Sequence, residues 1–145
     1  MSADRSLAPP IINAVLEWRG LRPVARAALV SAFVVGGVAK LSDFQGAILE
    51  QAHFGLHPGW LWAALAVIVE LGGSALVIAG RAVWLGAGAL GALTFVAMLV
   101  ANDFWDVSGH ARFVAFNGFF EHLGLIAGLV LAALLPPPFR PRSAI

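Results

Sequence analysis

The chain has no cysteine and few charged residues, and both shortages exclude classes of function. Without cysteine, its 145 residues cannot form disulfides, ligate an iron–sulfur cluster or build a thiol relay. Charged residues make up 12% of the sequence and the formal net charge is +1, which argues against a nucleic-acid-binding surface. The sequence also has no nucleotide-binding glycine loop and no nucleophile-and-base constellation. Any redox activity therefore needs another carrier, and a self-sufficient hydrolase or transferase is not indicated.

Apolar side chains are abundant instead. Hydrophobic residues make up 60% of the chain and the mean hydropathy is +0.87, far outside the range of soluble proteins. No Ser-rich or charge-rich linker divides the 145 residues, so we expect a single domain. The composition predicts an integral membrane protein whose first partner is the lipid bilayer.

Four apolar segments are long enough to cross a bilayer, which requires about 20 residues per helix. They predict an all-α fold, a bundle of four transmembrane helices. Pro136, Pro137 and Pro138 are expected to end the last helix. The four predicted spans are about 23–41, 59–80, 82–102 and 113–135.

A shorter amphipathic segment precedes the first span. Its apolar members cover one side of a helix after Pro9 and Pro10, which predicts a short interfacial helix lying on the membrane surface. A frayed tail is the alternative. Charges and prolines interrupt any signal-peptide core, so we expect the first span to direct membrane insertion. The apolar members are Ile11, Ile12, Val15, Leu16 and Trp18.

Arginines are concentrated in alternate connections. They precede span one, occupy the connection between spans two and three, and follow span four. The other loops, 42–58 and 103–112, carry Asp43, Glu50, Asp103 and Asp106 against a single arginine. By the positive-inside rule, both termini are predicted to be cytoplasmic, with the protein in an inner membrane.

Two acids interrupt the apolar segments. Glu70 is eleventh in the 21-residue stretch 60–80, and Glu121 lies in span four beside His122. Insertion scales assign a central acid a cost of about 2.5–3.5 kcal/mol, so such a residue usually faces a partner or a cavity. Spans two and four run in the same direction, so depth can be counted from the outer membrane surface in both. By this count Glu70 lies roughly 15 Å deep and Glu121 roughly 12 Å deep. Glu70, Glu121 and His122 are our candidate catalytic residues, sharing a buried site if both acids point inward.

Small and polar residues recur along one face of spans two and four. Their spacing of three or four residues predicts faces packed on protein rather than on lipid. In span three, the glycines Gly86, Gly88 and Gly91 likewise suit close contact. The stripes are Ala66, Glu70, Gly73 and Val77, with Ser74 adjacent, in span two, and Asn117, Glu121, Gly124 and Gly128 in span four.

The histidines do not predict a metal site. Glu50, His53 and His57 have helix-like spacing, but Gly55 and Pro58 break the helix, so a surface loop is predicted. A buried His122 needs a partner for each ring nitrogen. Because Glu121 points elsewhere on the helix, that partner is expected from another span, a cofactor or water. The other three spans contain no histidine, which disfavours haem.

Five short motifs together resemble the DoxX family of small four-helix membrane proteins. Their order and spacing carry the likeness over about residues 26–131, although none is specific alone. Glu121-His122 departs from the pattern, since many members resemble Lys-Asn there. The motifs are Gly37-x-x-Lys40-Leu41, Gly55-Leu56-x-Pro58, Glu70-Leu71-x-Gly73, Gly80-Arg81 and Asp103-Phe104-Trp105.

The resemblance implies a fold more firmly than a reaction. Members are linked to a membrane subunit of thiosulfate to quinone oxidoreductase, to a redox-stress membrane complex, or to no assigned activity. The oxidoreductase role implies quinone or substrate contacts at Lys40, Glu70 and Trp105, and we add Asn117 as a candidate cofactor-binding residue. Structural roles stay open: Lys40 serves as an interface anchor or in an ion pair that fixes helix orientation, and Trp105 belongs to an aromatic belt.

Three functions remain open at this point. In the first, the protein is a membrane subunit of a quinone-linked oxidoreductase, in which the Glu70 region holds or protonates a quinone while a partner supplies electrons. In the second, it is a non-enzymatic anchoring or assembly subunit. In the third, it is a proton-coupled carrier of a small solute. We favour the first, with other membrane or redox-enzyme subunits as partners, and a homo-oligomer is also compatible.

Overall fold

The computed structural model describes residues 9–135, and helices account for nearly all of them. No strand occurs within this range, and the predicted all-α class is confirmed. Span two is one helix without a gap, in which a π-helical turn, here called the π segment, joins two α-helical parts. The elements are α1 (Pro10–Glu17), α2 (Leu21–Ser42), α3 (Phe44–His53), α4 (Gly59–Ile68), the π segment (Val69–Gly73), α5 (Ser74–Ala79), α6 (Val83–Ala101) and α7 (Gly109–Leu134).

Four of the described helices are long and apolar enough to cross a membrane, as predicted. Span one is α2, span two is Gly59–Ala79, span three is α6 and span four is α7. The helix α7 begins at Gly109, one turn before Phe113, where the predicted span four starts. Residues 109–112 are mostly polar or small, so an apolar count misses a first helical turn that extends beyond the hydrocarbon. The three prolines predicted to end this span lie outside the described residues.

The helix α1 confirms the predicted short N-terminal helix. None of its residues is buried, and Ile11 and Val15 expose 73% and 51% of their surface. Trp18, directly after the helix, is 58% exposed. An apolar side left open in this way suits a helix lying in the headgroup region of a bilayer.

The loop predicted around Glu50 and His53 is wrong, because both residues belong to α3. Asp43 starts this helix by accepting a hydrogen bond from the Gly46 amide at 2.9 Å. This is an N-cap, which satisfies one of the free amides of the first turn. Gly55, at φ 75°, follows the end of the helix. The helix breakers therefore end α3 and do not prevent it, and α3 packs on α4.

Span two is the central element of the bundle. It packs against α2 on one side and α6 on the other, while α7 packs chiefly on α6. Spans one and four touch lightly, where Leu29 approaches Gly128. The apolar core joins all four spans through Val30, Phe33, Val77, Ala87, Leu90 and Leu129.

The small-residue face predicted on span two is confirmed. Its five members, Ala66, Glu70, Gly73, Ser74 and Val77, are all buried. The same prediction holds for Gly86 in span three, where a Cβ atom would lie 2.6 Å from the Gly73 carbonyl oxygen. It is wrong for Gly88 and Gly91, because a Cβ atom on either would meet open space. Of these three glycines, Gly86 alone faces span two.

The face predicted on span four is wrong for this chain's own bundle. Asn117, Glu121 and Gly124 are exposed, and Gly128 is half-buried. The face that turns inward instead carries His122, Leu125, Leu129 and Ala132. Apolar residues on this face complete the core, so the small and polar stripe remains uncovered by the described residues.

Candidate functional site

Glu70 lies in the π segment Val69–Gly73 at the middle of span two. A π turn widens the helix by one residue, is rare, and often occurs at functional sites. Glu70 retains 8% of its accessible surface and is one of four buried polar or charged residues within the described range. Sequence reasoning missed this turn, because a single π turn leaves no regular pattern in the sequence. The turn thus coincides with the buried acid.

Lys40 forms an ion pair with Glu70 across the interface between spans one and two. Its Nζ atom lies 2.9 Å from Oε1 and 3.3 Å from Oε2 of Glu70. Gly37 allows this approach, since a Cβ atom there would come within 2.7 Å of the Leu71 side chain. The ammonium of the chain's only lysine is thereby directed into the bundle. Lys40 therefore does not extend to the membrane boundary, as an interface anchor would.

A cavity of about 300 Å³ brings the three candidate catalytic residues together. Glu70, Glu121 and His122 all line it. Glu70 is already paired with Lys40, and within residues 9–135 no hydrogen bond joins the two acids. Glu121 is exposed and therefore lies at the rim. The remaining walls are Ala32, Phe33, Leu93, Thr94, Ala97 and Leu125.

His122 finds its partner on its own helix. Its Nδ1 atom lies 2.6 Å from the Gly118 carbonyl oxygen, one turn earlier. The expectation of a partner from another span, cofactor or water is therefore wrong for this nitrogen. Because a carbonyl oxygen only accepts, Nδ1 carries the hydrogen, and Nε2 of the neutral ring is an acceptor. The ring lines the small cavity and its larger neighbour.

The larger cavity has a volume of about 560 Å³ and is mostly apolar. Lys40, Glu50, Glu70 and His122 supply its charged and titratable groups. Its walls come from α3, the loop after α3, span two and α6, and include Phe54, Leu56, Trp62, Leu65, Leu93 and Val96. Glu70 and His122 line both cavities, so the polar groups are concentrated where the two cavities adjoin.

Two candidate cofactor-binding residues do not line either cavity. Trp105 packs edge to face with Phe104 and Phe119, with ring centroids 5.1 and 6.2 Å apart. Asn117 is exposed on α7. The structure therefore brings Lys40 to Glu70 and His122, and leaves Trp105 and Asn117 outside this group.

Sequence reasoning also missed residues that line the cavities. Thr94 is buried and its hydroxyl donates to the Leu90 carbonyl at 2.7 Å. As the one hydroxyl-bearing residue of α6, it carried a usable signal. Trp62 lies near the start of span two, where an aromatic side chain is also expected at the membrane interface. Phe54 carries no signal where the sequence predicts a loop.

Comparison with known proteins confirms the resemblance found in the sequence. The sequence model of the DoxX family matches residues 22–103. The chain is 25% identical, over 125 residues, to the inner membrane protein YphA of Escherichia coli (strain K12). The match covers 83% of this chain and 89% of that protein. No solved structure gives a significant match.

Proposed function

Because this chain belongs to the DoxX family of integral membrane proteins, we propose that it is the quinone-binding membrane subunit of an oxidoreductase. One observation carries the proposal: a mostly apolar cavity of about 560 Å³ whose polar groups include an ion pair and an imidazole. Ligand sites commonly combine apolar walls with a few convergent polar groups. The apolar walls and this polar group are what an amphiphilic ring compound requires.

The residues present fit an isoprenoid quinone. Two of the Lys40 ammonium hydrogens are directed at the Glu70 carboxylate, and a third remains for a ring carbonyl. His122 presents Nε2, because Nδ1 is engaged with Gly118. Trp62 and Leu65 belong to the apolar walls, which suit the ring face and the isoprenoid tail. Donor, acceptor and apolar surface are thus all available in one cavity.

A bound quinone would supply the electron- and proton-accepting chemistry. Lys40 would orient a carbonyl oxygen, and Glu70 and His122 would hold or transfer protons beside it. Glu70 lines both cavities, and Glu121 lies at the rim of the smaller one. These carboxylates therefore offer a route for protons from the rim to the larger cavity. No step requires a thiol.

The electron donor would come from a partner subunit that covers α7. In the most apolar 18-residue stretch of α7, 6% of the residues are buried. In the corresponding stretch of span two, 39% are buried. The exposed Glu121 is thirteenth of the 26 residues of α7, where contact with hydrocarbon is costly. A partner helix packed on Asn117, Glu121 and Gly124 would remove that cost. A second copy of the chain is the alternative occupant.

We further propose that both termini are cytoplasmic. The distribution of arginines supports this orientation, and the relative is an inner membrane protein by name. Lys40 lies near the C-terminal end of α2, so the larger cavity would then open in the outer half of the bilayer.

Quinone binding tests the proposal directly. Full-length protein in lipid nanodiscs is titrated with a short-chain quinone while tryptophan fluorescence is recorded, since Trp62 lines the cavity. Lys40→Met is expected to raise the Kd of the quinone about tenfold, the effect of one lost polar contact. In a parallel titration with the reduced quinol, whose hydroxyl can donate to Nε2, His122→Phe is expected to raise the Kd by a similar factor. Asp106→Asn, an exposed acid that lines neither cavity, is the matched control and should leave the Kd unchanged.

Other outcomes would select the other functions. An unchanged Kd in both cavity variants, or no quinone binding, would contradict the proposal. A stable complex that tolerates Glu70→Gln without loss of activity would favour an anchoring subunit. Loss of proton-linked solute uptake in Glu70→Gln, with the fold intact, would favour a carrier.

A further inference from the structure

Arg26 is a buried cation that the described residues do not neutralise. It lies in the second turn of α2 and retains 6% of its accessible surface. Its Nε atom has no hydrogen-bond partner in the described part of the chain. Within the same range, the one salt bridge joins Lys40 to Glu70 and leaves Arg26 without a carboxylate. A buried guanidinium is stable only with a counter-charge and satisfied donors, so Arg26 calls for an anion.

The Arg26 side chain points at the turn between spans two and three. Its Nη1 atom lies 2.7 Å from the position that a Cβ atom on Gly80 would occupy. Gly80 adopts φ 66°, which favours glycine, and its missing side chain admits the guanidinium. The turn is therefore shaped around Arg26.

The same turn presents the N-terminus of α6. Its N-cap residue, Ala82, has no side-chain oxygen and provides no cap. The amides of Leu85 and Gly86 donate to the Ala82 carbonyl. The amides of Val83 and Trp84 come before these bonds and have no acceptor within the helix. Free first-turn amides and the helix dipole together attract anions.

The surrounding charge has the same sign. Arg22 lies one helical turn before Arg26 on α2, and Arg81 follows Gly80 in the turn. Both are exposed. At this end of the bundle, Glu17 is the one acid of the described residues, because the others lie within the spans or at the opposite end. The potential here favours a negatively charged ligand.

We propose that Arg26, Arg81 and the first turn of α6 bind a phosphate group. A phosphate accepts several hydrogen bonds at once, matching a guanidinium fork and adjacent backbone amides. The group can belong to an anionic phospholipid or to a soluble phosphate compound. The position at the end of a membrane span, beside the 69% exposed Trp84, favours the lipid. This site is separate from the two cavities and does not depend on quinone binding.

Native mass spectrometry of the full-length protein in detergent tests this site. The probes are phosphatidylglycerol, diacylglycerol as a phosphate-free lipid, and inorganic phosphate. Arg26→Gln is expected to weaken phosphatidylglycerol binding about tenfold, as expected for a lost charged hydrogen bond. Arg112→Gln, an exposed arginine at the opposite end, is the matched control and should bind like the wild type. Diacylglycerol should bind weakly to every form.

Arg81→Gln keeps the test decisive if Arg26→Gln does not fold. Arg81 is exposed, so its replacement should leave the fold intact and weaken binding about threefold. Loss of phosphatidylglycerol binding alone identifies a lipid site, and an arginine-dependent loss of inorganic phosphate binding identifies a soluble ligand. Unchanged binding of both probes in the folded arginine variants would overturn the proposal.

Discussion

Glu70 and Glu121 lie near the middle of helices that run in the same direction, but their surroundings differ. Glu70 is twelfth of the 21 residues of span two, is 8% exposed and is paired with Lys40 at 2.9 Å. Glu121 is thirteenth of the 26 residues of α7 and is exposed. Depth in an apolar segment therefore does not determine whether an acid is enclosed by its own bundle. The rotation of the helix decides it.

The packing around each helix explains the difference. Span two is held between α2 and α6, so it must pack against a neighbouring helix on two of its sides. The helix α7 packs chiefly on α6 and can present its polar stripe outward. Glu70 is thus satisfied within the chain, whereas Glu121 requires the cavity rim or a partner. Each of the following substitutions tests one side of this contrast.

The largest effect is expected from Lys40→Met. It leaves the Glu70 carboxylate buried without its counter-ion, which should lower the free energy of unfolding by about 3 kcal/mol. Glu121→Gln removes an exposed acid and should change it by less than about 0.5 kcal/mol. Both values are measured by denaturant titration in detergent. An equal loss of unfolding free energy in Lys40→Met and Glu121→Gln would contradict this contrast. The double variant Lys40→Met/Glu70→Leu, which removes both charges, should regain part of the stability that Lys40→Met loses.

A smaller loss is expected from Gly86→Ala. The new Cβ atom would lie 2.6 Å from the Gly73 carbonyl oxygen, so spans two and three must separate. Overpacking of this kind costs about 2 kcal/mol. Gly88→Ala meets open space and is the matched control, with the higher helix propensity of alanine making it neutral or slightly stabilising. Equal melting temperatures for the two variants would show that this contact does not limit stability.

Gly124→Leu should weaken association without affecting the fold. Gly124 is exposed on the stripe that carries Glu121, and small residues allow helices to approach closely in membranes. We expect a loss of about 1 kcal/mol in association with the partner, measured by native mass spectrometry or cross-linking in the membrane. Val130→Leu changes another exposed position of α7 and serves as the control. Undiminished association would indicate that a different face is covered.

The smallest effect is expected from Trp105→Phe and Asn117→Ala. Both residues lie outside the two cavities, so the quinone Kd should change by less than about twofold, the range of surface substitutions. Trp62→Leu, in the wall of the larger cavity, should raise it more. These Kd values are obtained in nanodiscs by competition against a radiolabelled quinone, because two of the changes alter tryptophan fluorescence. A larger effect at Trp105 than at Trp62 would move the site to the aromatic cluster.

Much of the fold could be predicted because bilayer thickness imposes a length on every apolar segment. Spans two and three begin and end within about two residues of their predicted limits for this reason. The helix α3 is not predicted, because Gly55 and Pro58 suggest a loop in a region where Asp43 in fact starts a helix. Breakers indicate where a helix ends and do not show whether one precedes them.

The site was less predictable because it depends on rotation and on one local irregularity. The importance of Glu70 followed from its cost in hydrocarbon, and its stripe of small neighbours followed from spacing. Its pairing with Lys40 required Gly37 to bring α2 close, a contact between distant segments. The π segment breaks helical periodicity, so no regular pattern reports it. On α7, small and polar residues suit a partner chain as well as the chain's own bundle.

Photoaffinity labelling with a quinone analogue would test most directly whether the Lys40–Glu70 cavity binds quinone. The full-length protein in nanodiscs is labelled, digested and mapped by mass spectrometry. We expect label on the cavity walls in α3, α4 and α6, suppressed by excess unlabelled quinone and by Lys40→Met. Label confined to Phe104, Trp105 and the outward face of α7, or label that unlabelled quinone does not suppress, would contradict a quinone site at Lys40 and Glu70.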